Sequence, residues 1–354
     1  MLEEQLVQLL SPEGERVTHA QYPTTLNTDE IIALYRDMVI VRRLCNESTS
    51  LQRQGQLALW APLQGQEAAQ IGAGRALQTR DFSFPSYREH GVAWCRGISP
   101  AEILRLFRQV SHGGWDPQKY RHSVPTIVIG NQALNAVGYA MGVQRDGADE
   151  ATMVFFGDGA TSQGDVNEAF VWAAAFNAPV VFFVQNNQWA ISEPTVRQSR
   201  IPLYRRAEGF GFPGIRVDGN DVLAVYEVAS AALQLAREGG GPTLIEAYTY
   251  RMGAHTTSDD PTRYRFDADV EAWKHRDPIE RVKAYLVRTQ HITAAALTAI
   301  NEEADVLAME LREAVLAMDG PDPLSIFDHV YADQHPLIDA GRQEMIDLGL
   351  GGVR

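Results

Sequence analysis

"VFFGDGATSQGD" (Val154–Asp165) decides the fold. An apolar run ends abruptly at Gly157-Asp158-Gly159. Small polar residues follow, and then "VNEAFVWAAAFN" (166–177), which has the length and composition of a buried helix. "PVVFFVQ" (179–185) repeats the strand signature of "TMVFF" (152–156). Farther on, "GIRVDG" (214–219), "DVLAVYEVASAALQLAREGGG" (221–241) and "PTLIEAYTY" (242–250) read as strand, helix and strand. Strands that are apolar without alternation, separated by helices, belong to a parallel sheet covered on both faces. The expected fold class is therefore α/β, a parallel sheet with helices on each side.

In such sheets ligands bind beyond the carboxyl ends of the strands. The glycines beside Asp158 permit a tight turn and close backbone approach to a ligand. The helix that starts near Asp165 turns its N-terminal amides to the same side, which favours an anion. "QNNQWAIS" follows the next strand, and Asn187 lies 29 residues after Asp158 (187 − 158). A helix of about a dozen residues carries the chain roughly 18 Å back, and a strand of about six residues returns it roughly 20 Å. Asp158 and Asn187 are thus expected at one edge of the sheet. Carboxylate, amide and main-chain oxygens are hard ligands of the kind Mg²⁺ takes together with phosphate oxygens. A lone GDG is a common turn, and a lone NN is a common cap. Their order on one βαβ unit is what points to a metal and a diphosphate.

Bulk properties agree. The chain has 354 residues, a net charge of −14 and a pI of about 5.1, so general binding to nucleic acid or an anionic membrane is not expected. An anion must be held locally or through a cation. Cys45 and Cys95 are the two cysteines; their spacing is not metal-like, leaves a disulfide open, and fits a reducing cytoplasm. The acidic N-terminus "MLEEQLVQLLSPEGE" reads as neither a secretory nor a transit peptide. No apolar run approaches the ~20 residues of a membrane span.

Three regions are expected: an arm at 1–26, an α/β domain at 27–278, and a C-terminal helical region and tail at 279–354. Asn27 with Glu30, and Ser99-Pro100 with Glu102, are capping-box helix starts. Another helix is expected from Asn131 to about Gln144.

These motifs, with "LQGQEAAQIGAG", "FPSYREHGVAWCRGIS", "RMGAHTTSDDPTRYR" and the tail, resemble the α subunit of the two-chain 2-oxo acid dehydrogenases, the decarboxylating first components of the pyruvate and branched-chain complexes. The resemblance covers nearly everything from about residue 30. It implies thiamine diphosphate and Mg²⁺ as cofactors, with Asp158, Asn187 and the main-chain oxygen of Trp189 as metal ligands. The last position is usually tyrosine in the family, a change that a carbonyl ligand tolerates. Tyr87 and Arg88 match the pair that contacts the diphosphate, and arginine binds phosphate with two parallel hydrogen bonds. Gly157, Gly159 and Ala160 match backbone positions near the cofactor, and Ile129 matches the apolar contact to the aminopyrimidine. Gln185 stands where some relatives carry arginine. His255 matches the histidine that reaches the reactive thiazolium carbon, and Thr256 follows where animal members carry a regulatory phosphoserine.

The resemblance further implies a 2-oxo acid substrate and acyl transfer to a lipoyl group on a separate acyltransferase. It implies a β subunit in an α2β2 assembly, whose glutamate serves the aminopyrimidine. Glu168 sits in the motif helix beyond the diphosphate end and is read as structural. His90 and His122 are weaker candidates, for which solvation or core hydrogen bonding is the alternative. The helix 166–177 lacks a polar stripe, which fits burial in its own domain or against a subunit equally well. The segment 259–286 and "SIFDHVY" look closer to branched-chain than to pyruvate members; an acetoin-cleaving relative is the further alternative. A dinucleotide-binding oxidoreductase would need GxGxxG, which "GDGATSQG" does not supply. A non-catalytic subunit would not need Asp158, Asn187, Arg88 and His255 together.

Overall fold

The structure is a computed structural model, which describes residues 6–111 and 113–350. Among them, five strands form one parallel sheet: β1 (Phe82–Phe84), β2 (Thr152–Gly157), β3 (Val180–Asn186), β6 (Gly214–Asp218) and β7 (Thr243–Tyr248), in the order β1-β2-β3-β7-β6. Two-residue strands β4 (Trp189–Ala190) and β5 (Glu193–Pro194) make a separate small hairpin. In register, Gly157 pairs with Gln185, and Asn186 with Tyr248, so β2, β3 and β7 end at one level.

Strand side chains alternate between two cores because successive residues point to opposite faces. Met153, Phe155, Val181, Phe183 and Ile245 join one apolar cluster, with helices Thr28–Arg53, Glu67–Ala76 and Val222–Arg237. Val154, Phe156, Phe182, Val184 and Leu244 join the other, with helices Asn131–Asp146 and Gly164–Phe176. The expected two-sided burial of the sheet is what the structure has. Both predicted capping boxes are present, at Asn27/Glu30 and Ser99/Glu102.

Helix Glu67–Ala76 lies close on helix Val222–Arg237 because Gly72 has no side chain. A Cβ there would sit 2.8 Å from Val225 Cγ1 and 2.9 Å from the Val222 carbonyl oxygen. The N-terminal arm docks on edge strand β6 through a parallel bridge, Val7 to Val217. It is also tied by Asp221, whose Oδ2 accepts from the Leu9 and Leu10 amides at 2.6 and 2.5 Å while Oδ1 caps helix Val222–Arg237. C-terminal helices Pro278–Arg288 and Ala294–Leu316 contribute Ile279, Val282, Leu286, Ala304, Ala308 and Leu311 to the first cluster. Among the described residues no helix is long and apolar enough to cross a membrane.

Several elements are not marked by the sequence pattern, a sheet strand and a core helix among them. Strand β1 is three residues long, too short for a periodic signal. Helix Glu67–Ala76 was quoted only as a motif, and its two glycines lower its helical propensity.

Candidate active site

Four segments leave the carboxyl edge of the sheet side by side. Ser86–Arg88 follows β1, Asp158 follows β2, Asn187 follows β3, and His255 lies beyond β7. They converge on a cavity of about 460 Å³. Tyr87, Arg88, Ile129, Gly157, Asp158, Gly159, Ala160, Asn187, Trp189 and His255 all line it.

The Gly157-Asp158-Gly159 turn opens a short 3-10 segment, Asp158–Ser162. A Cβ at Gly157 would meet nothing within 4 Å, whereas one at Gly159 would sit 2.7 Å from Ala190 Cβ. One glycine thus leaves the cavity open, and the other lets the β4–β5 hairpin pack against the turn. Asp158 is only 1% exposed. Its Oδ2 accepts from Thr195 Oγ1 at 2.7 Å and Gln198 Nε2 at 3.1 Å. Burial pushes its carboxyl up to about 6, opposed by those two hydrogen bonds.

The paired asparagines divide their work. Asn186 Nδ2 donates to Glu246 Oε1 at 2.7 Å, inside the protein. Asn187 lines the cavity; its Nδ2 donates to Gln66 Oε1 at 3.0 Å, and its Oδ1 accepts the Trp189 amide at 3.3 Å. Gln66 Nε2, buried at the same cavity, has no hydrogen-bond partner among the described residues. An enclosed carboxylate, an amide oxygen and a carbonyl form an oxygen-rich donor set that suits a hard divalent cation. Among the described residues no three His, Cys, Asp or Glu side chains are placed to hold a metal ion together, so a cation here would use amide and main-chain oxygens.

Arg88 is 5% exposed; its Nη1 donates to the Pro62 carbonyl at 2.5 Å, and its Nη2 to the His255 carbonyl at 2.8 Å. Arg88 Nη2 and Arg251 Nη1 each lie 3.2 Å from His255 Nδ1. Guanidinium groups only donate, so Nδ1 accepts and the imidazole proton resides on Nε2. Burial, and then the charges of Arg88 and Arg251, hold the His255 pKa down at about 3. The ring is therefore a neutral Nε2–H donor at physiological pH. Tyr87 meets it edge-on, with ring centroids 6.0 Å apart.

Several of these residues gave no sequence signal. Thr195 and Gln198 reach Asp158 from a short turn beyond the NN motif, and Arg251 precedes His255 by four residues. Glu89 is buried and accepts from Gln185 Nε2 at 2.5 Å, while Gln185 Oε1 accepts from Gln70 Nε2 at 3.0 Å. The Gln185 amide is thus engaged with these two neighbours at the cavity wall.

The remaining candidates have structural roles. His90 is buried, stacked on Trp60 with Nε2 at 3.0 Å from the Ala61 carbonyl. His122 is buried against Trp115 with Nδ1 2.8 Å from Ser83 Oγ. Glu168 is exposed and accepts from Trp172 Nε1 one helical turn away. Cys45 and Cys95 are both free thiols.

Residues 35–319 match the sequence profile of the dehydrogenase E1 component family. The chain belongs to that family, as an α subunit of a 2-oxo acid dehydrogenase. Among its relatives, the 3-methyl-2-oxobutanoate dehydrogenase subunit alpha of Mycobacterium tuberculosis is 46% identical over 341 residues, covering 96% of this chain and 93% of the relative. The pyruvate dehydrogenase E1 component subunit alpha of Acholeplasma laidlawii is 36% identical, over 91% of this chain and 94% of that one. The corresponding subunit of Bacillus cereus is 40% identical over 79% and 76%.

Proposed function

We propose that the cavity binds thiamine diphosphate through Mg²⁺ and that the chain, with a β subunit, decarboxylates a branched-chain 2-oxo acid in the cytoplasm. The observation that carries this reading is the convergence of Arg88, Asp158, Asn187 and His255, from four separate strand ends, on one cavity. Asp158, Asn187 and the Trp189 carbonyl would hold the metal. Arg88, with Tyr87, would meet the diphosphate, and Gly157, Gly159 and Ala160 would give its backbone contacts. Ile129 would pack on the aminopyrimidine.

When bound, thiamine diphosphate would supply the nucleophilic carbon and the electron sink that decarboxylation of a 2-oxo acid needs. This chain's residues hold and orient the reacting groups. Arg88 and Arg251 orient the His255 ring, and its Nε2–H donates to the developing oxyanion of the substrate. The buried walls exclude water.

The carboxylates lining the cavity are Asp158 and Glu89, and both are engaged. This supports a carboxylic acid supplied by a β chain. Helix Gly164–Phe176 buries Val166, Ala169, Phe170 and Ala173 but exposes Val171, Trp172 and Phe176 by 43–51%. An exposed apolar helix face of this size fits a subunit interface, and we assign it to an α2β2 assembly. Acyl transfer to a lipoyl-bearing acyltransferase completes the reaction.

Two observations favour a branched substrate. Identity is higher to the relative named for 3-methyl-2-oxobutanoate than to those named for pyruvate. The cavity also carries Leu59, Phe107, Ile127 and Ile129 on its apolar side. The test is co-expression with a β-like chain and comparison of decarboxylation rates. Higher kcat/KM for 3-methyl-2-oxobutanoate than for pyruvate is expected; a preference for pyruvate would overturn the substrate assignment.

A further inference from the structure

The turn Thr195–Gln198 sits against the Gly157-Asp158-Gly159 turn, and two of its side chains reach the same carboxylate oxygen. Thr195 Oγ1 lies 2.7 Å from Asp158 Oδ2, and Gln198 Nε2 lies 3.1 Å from it. A hydroxyl has a single proton to give. Thr195 Oγ1 also lies 3.1 Å from Asn186 Oδ1, but that oxygen already accepts the Gln188 amide at 3.1 Å. The Asn186 amide cannot turn over, because its Nδ2 is held by Glu246. The Thr195 proton therefore goes to the nearer, charged acceptor. With both donors on Oδ2, Oδ1 is the carboxylate oxygen available to a cation.

The turn is itself fixed from two directions, and the hairpin before it from a third. The Thr195 amide donates to the Gln188 carbonyl at 3.1 Å. Gln198 Oε1 accepts from Ser162 Oγ at 3.2 Å, which joins it to the segment that carries Asp158. Ala190 packs on Gly159 with no room for a Cβ between them. One continuous stretch, 187–198, thus supplies the Asn187 amide, the Trp189 carbonyl and the two donors that clamp Asp158.

We propose that Thr195 and Gln198 are positioning residues of the divalent-cation site: they tie one carboxylate oxygen so that the other faces the metal in a fixed orientation. This rests on the thiamine diphosphate–Mg²⁺ reading above. The physical reason is general. A ligating carboxylate that is not hydrogen-bonded on its second oxygen rotates, and losing such an outer partner costs about 10- to 100-fold in metal affinity. Two donors on one oxygen also offset the cost of burying the charge, since hydrogen bonds to the ionised form favour it.

The test measures metal binding directly. The full-length chain, alone and co-expressed with a β-like partner, is titrated with Mn²⁺ in the presence of thiamine diphosphate, and free Mn²⁺ is followed by electron paramagnetic resonance. Thr195→Val keeps the shape and removes the donor; Thr195→Ser restores it. Thr195→Val and Gln198→Ala are each expected to raise the Mn²⁺ Kd by about tenfold or more, while Thr195→Ser stays close to wild type. Asp158→Ala is expected to abolish binding. If Asp158→Ala abolishes binding but Thr195→Val and Gln198→Ala bind like wild type, the positioning role is wrong and the cofactor reading stands. If wild type binds no Mn²⁺ in any combination, the cofactor reading falls and takes this one with it. Should Thr195→Val not fold, Gln198→Ala decides alone.

Discussion

Replacing Asp158 with asparagine should change stability in opposite directions without and with cofactor. Asp158 is almost fully buried, and its carboxyl is raised from 3.8 to about 6. At pH 7.5, above both values, the group is ionised in the folded and the unfolded chain. A rise of about 2 units means that the folded chain bears a cost of about 3 kcal/mol for holding that charge. Asparagine keeps an oxygen for Thr195 and Gln198 but buries an amide NH₂, which costs about 1–2 kcal/mol. The net effect is a gain of about 1–2 kcal/mol for the apo chain, or roughly 1–3 °C in melting temperature for a chain of this length. The wild-type chain should gain about 2.7 kcal/mol at a hundredfold excess of ligand over Kd, and the variant none. Thermal melts with and without Mg²⁺ and thiamine diphosphate should therefore cross: the variant melts higher alone, and the wild type melts higher with cofactor. A folded Asp158→Asn chain that is less stable than wild type when apo, or that still gains stability from the cofactor, would refute the reasoning.

Two further outcomes concern a buried histidine and a half-buried one. His122 is held at about 3 by burial, whereas an unfolded chain titrates near 6.5, so stability from this group is full above pH 6.5 and is lost as pH falls from 6.5 toward 3. Between pH 7.5 and 5.0 it costs the wild type about 2 kcal/mol; His122→Phe should lack that loss in urea unfolding, and an unchanged pH dependence would count against it. Replacing Arg251 with methionine removes one of the two cations beside His255 Nδ1. The His255 pKa, followed by NMR, should rise from about 3 yet stay below 6.5, because burial and Arg88 remain; no movement would show that Arg251 does not set it.

The sheet was legible because its strands, such as "PVVFFVQ", are apolar on both faces, and that pattern survives without tertiary information. The meeting of Asp158 and Asn187 at one cavity was legible for the same reason: strand and helix lengths fix where a crossover returns. Motif resemblance supplied Arg88 and His255. What surrounds them was not legible. Thr195, Gln198 and Arg251 act through contacts between loops, and no periodicity marks a loop residue that turns back onto a neighbouring turn. Helix Gly164–Phe176 illustrates the limit. Its composition fits burial at home or against a subunit, and in the structure its two faces differ, with Phe170 buried and Trp172 exposed.

The arrangement at His255 bears on how an imidazole can be kept in one protonation state. A histidine open to the medium changes its charge between about pH 5 and 8. Here burial lowers the affinity for a second proton, and two guanidinium groups beside Nδ1 add to that and leave the single proton on Nε2, so the protonation of the ring is set by the scaffold around it.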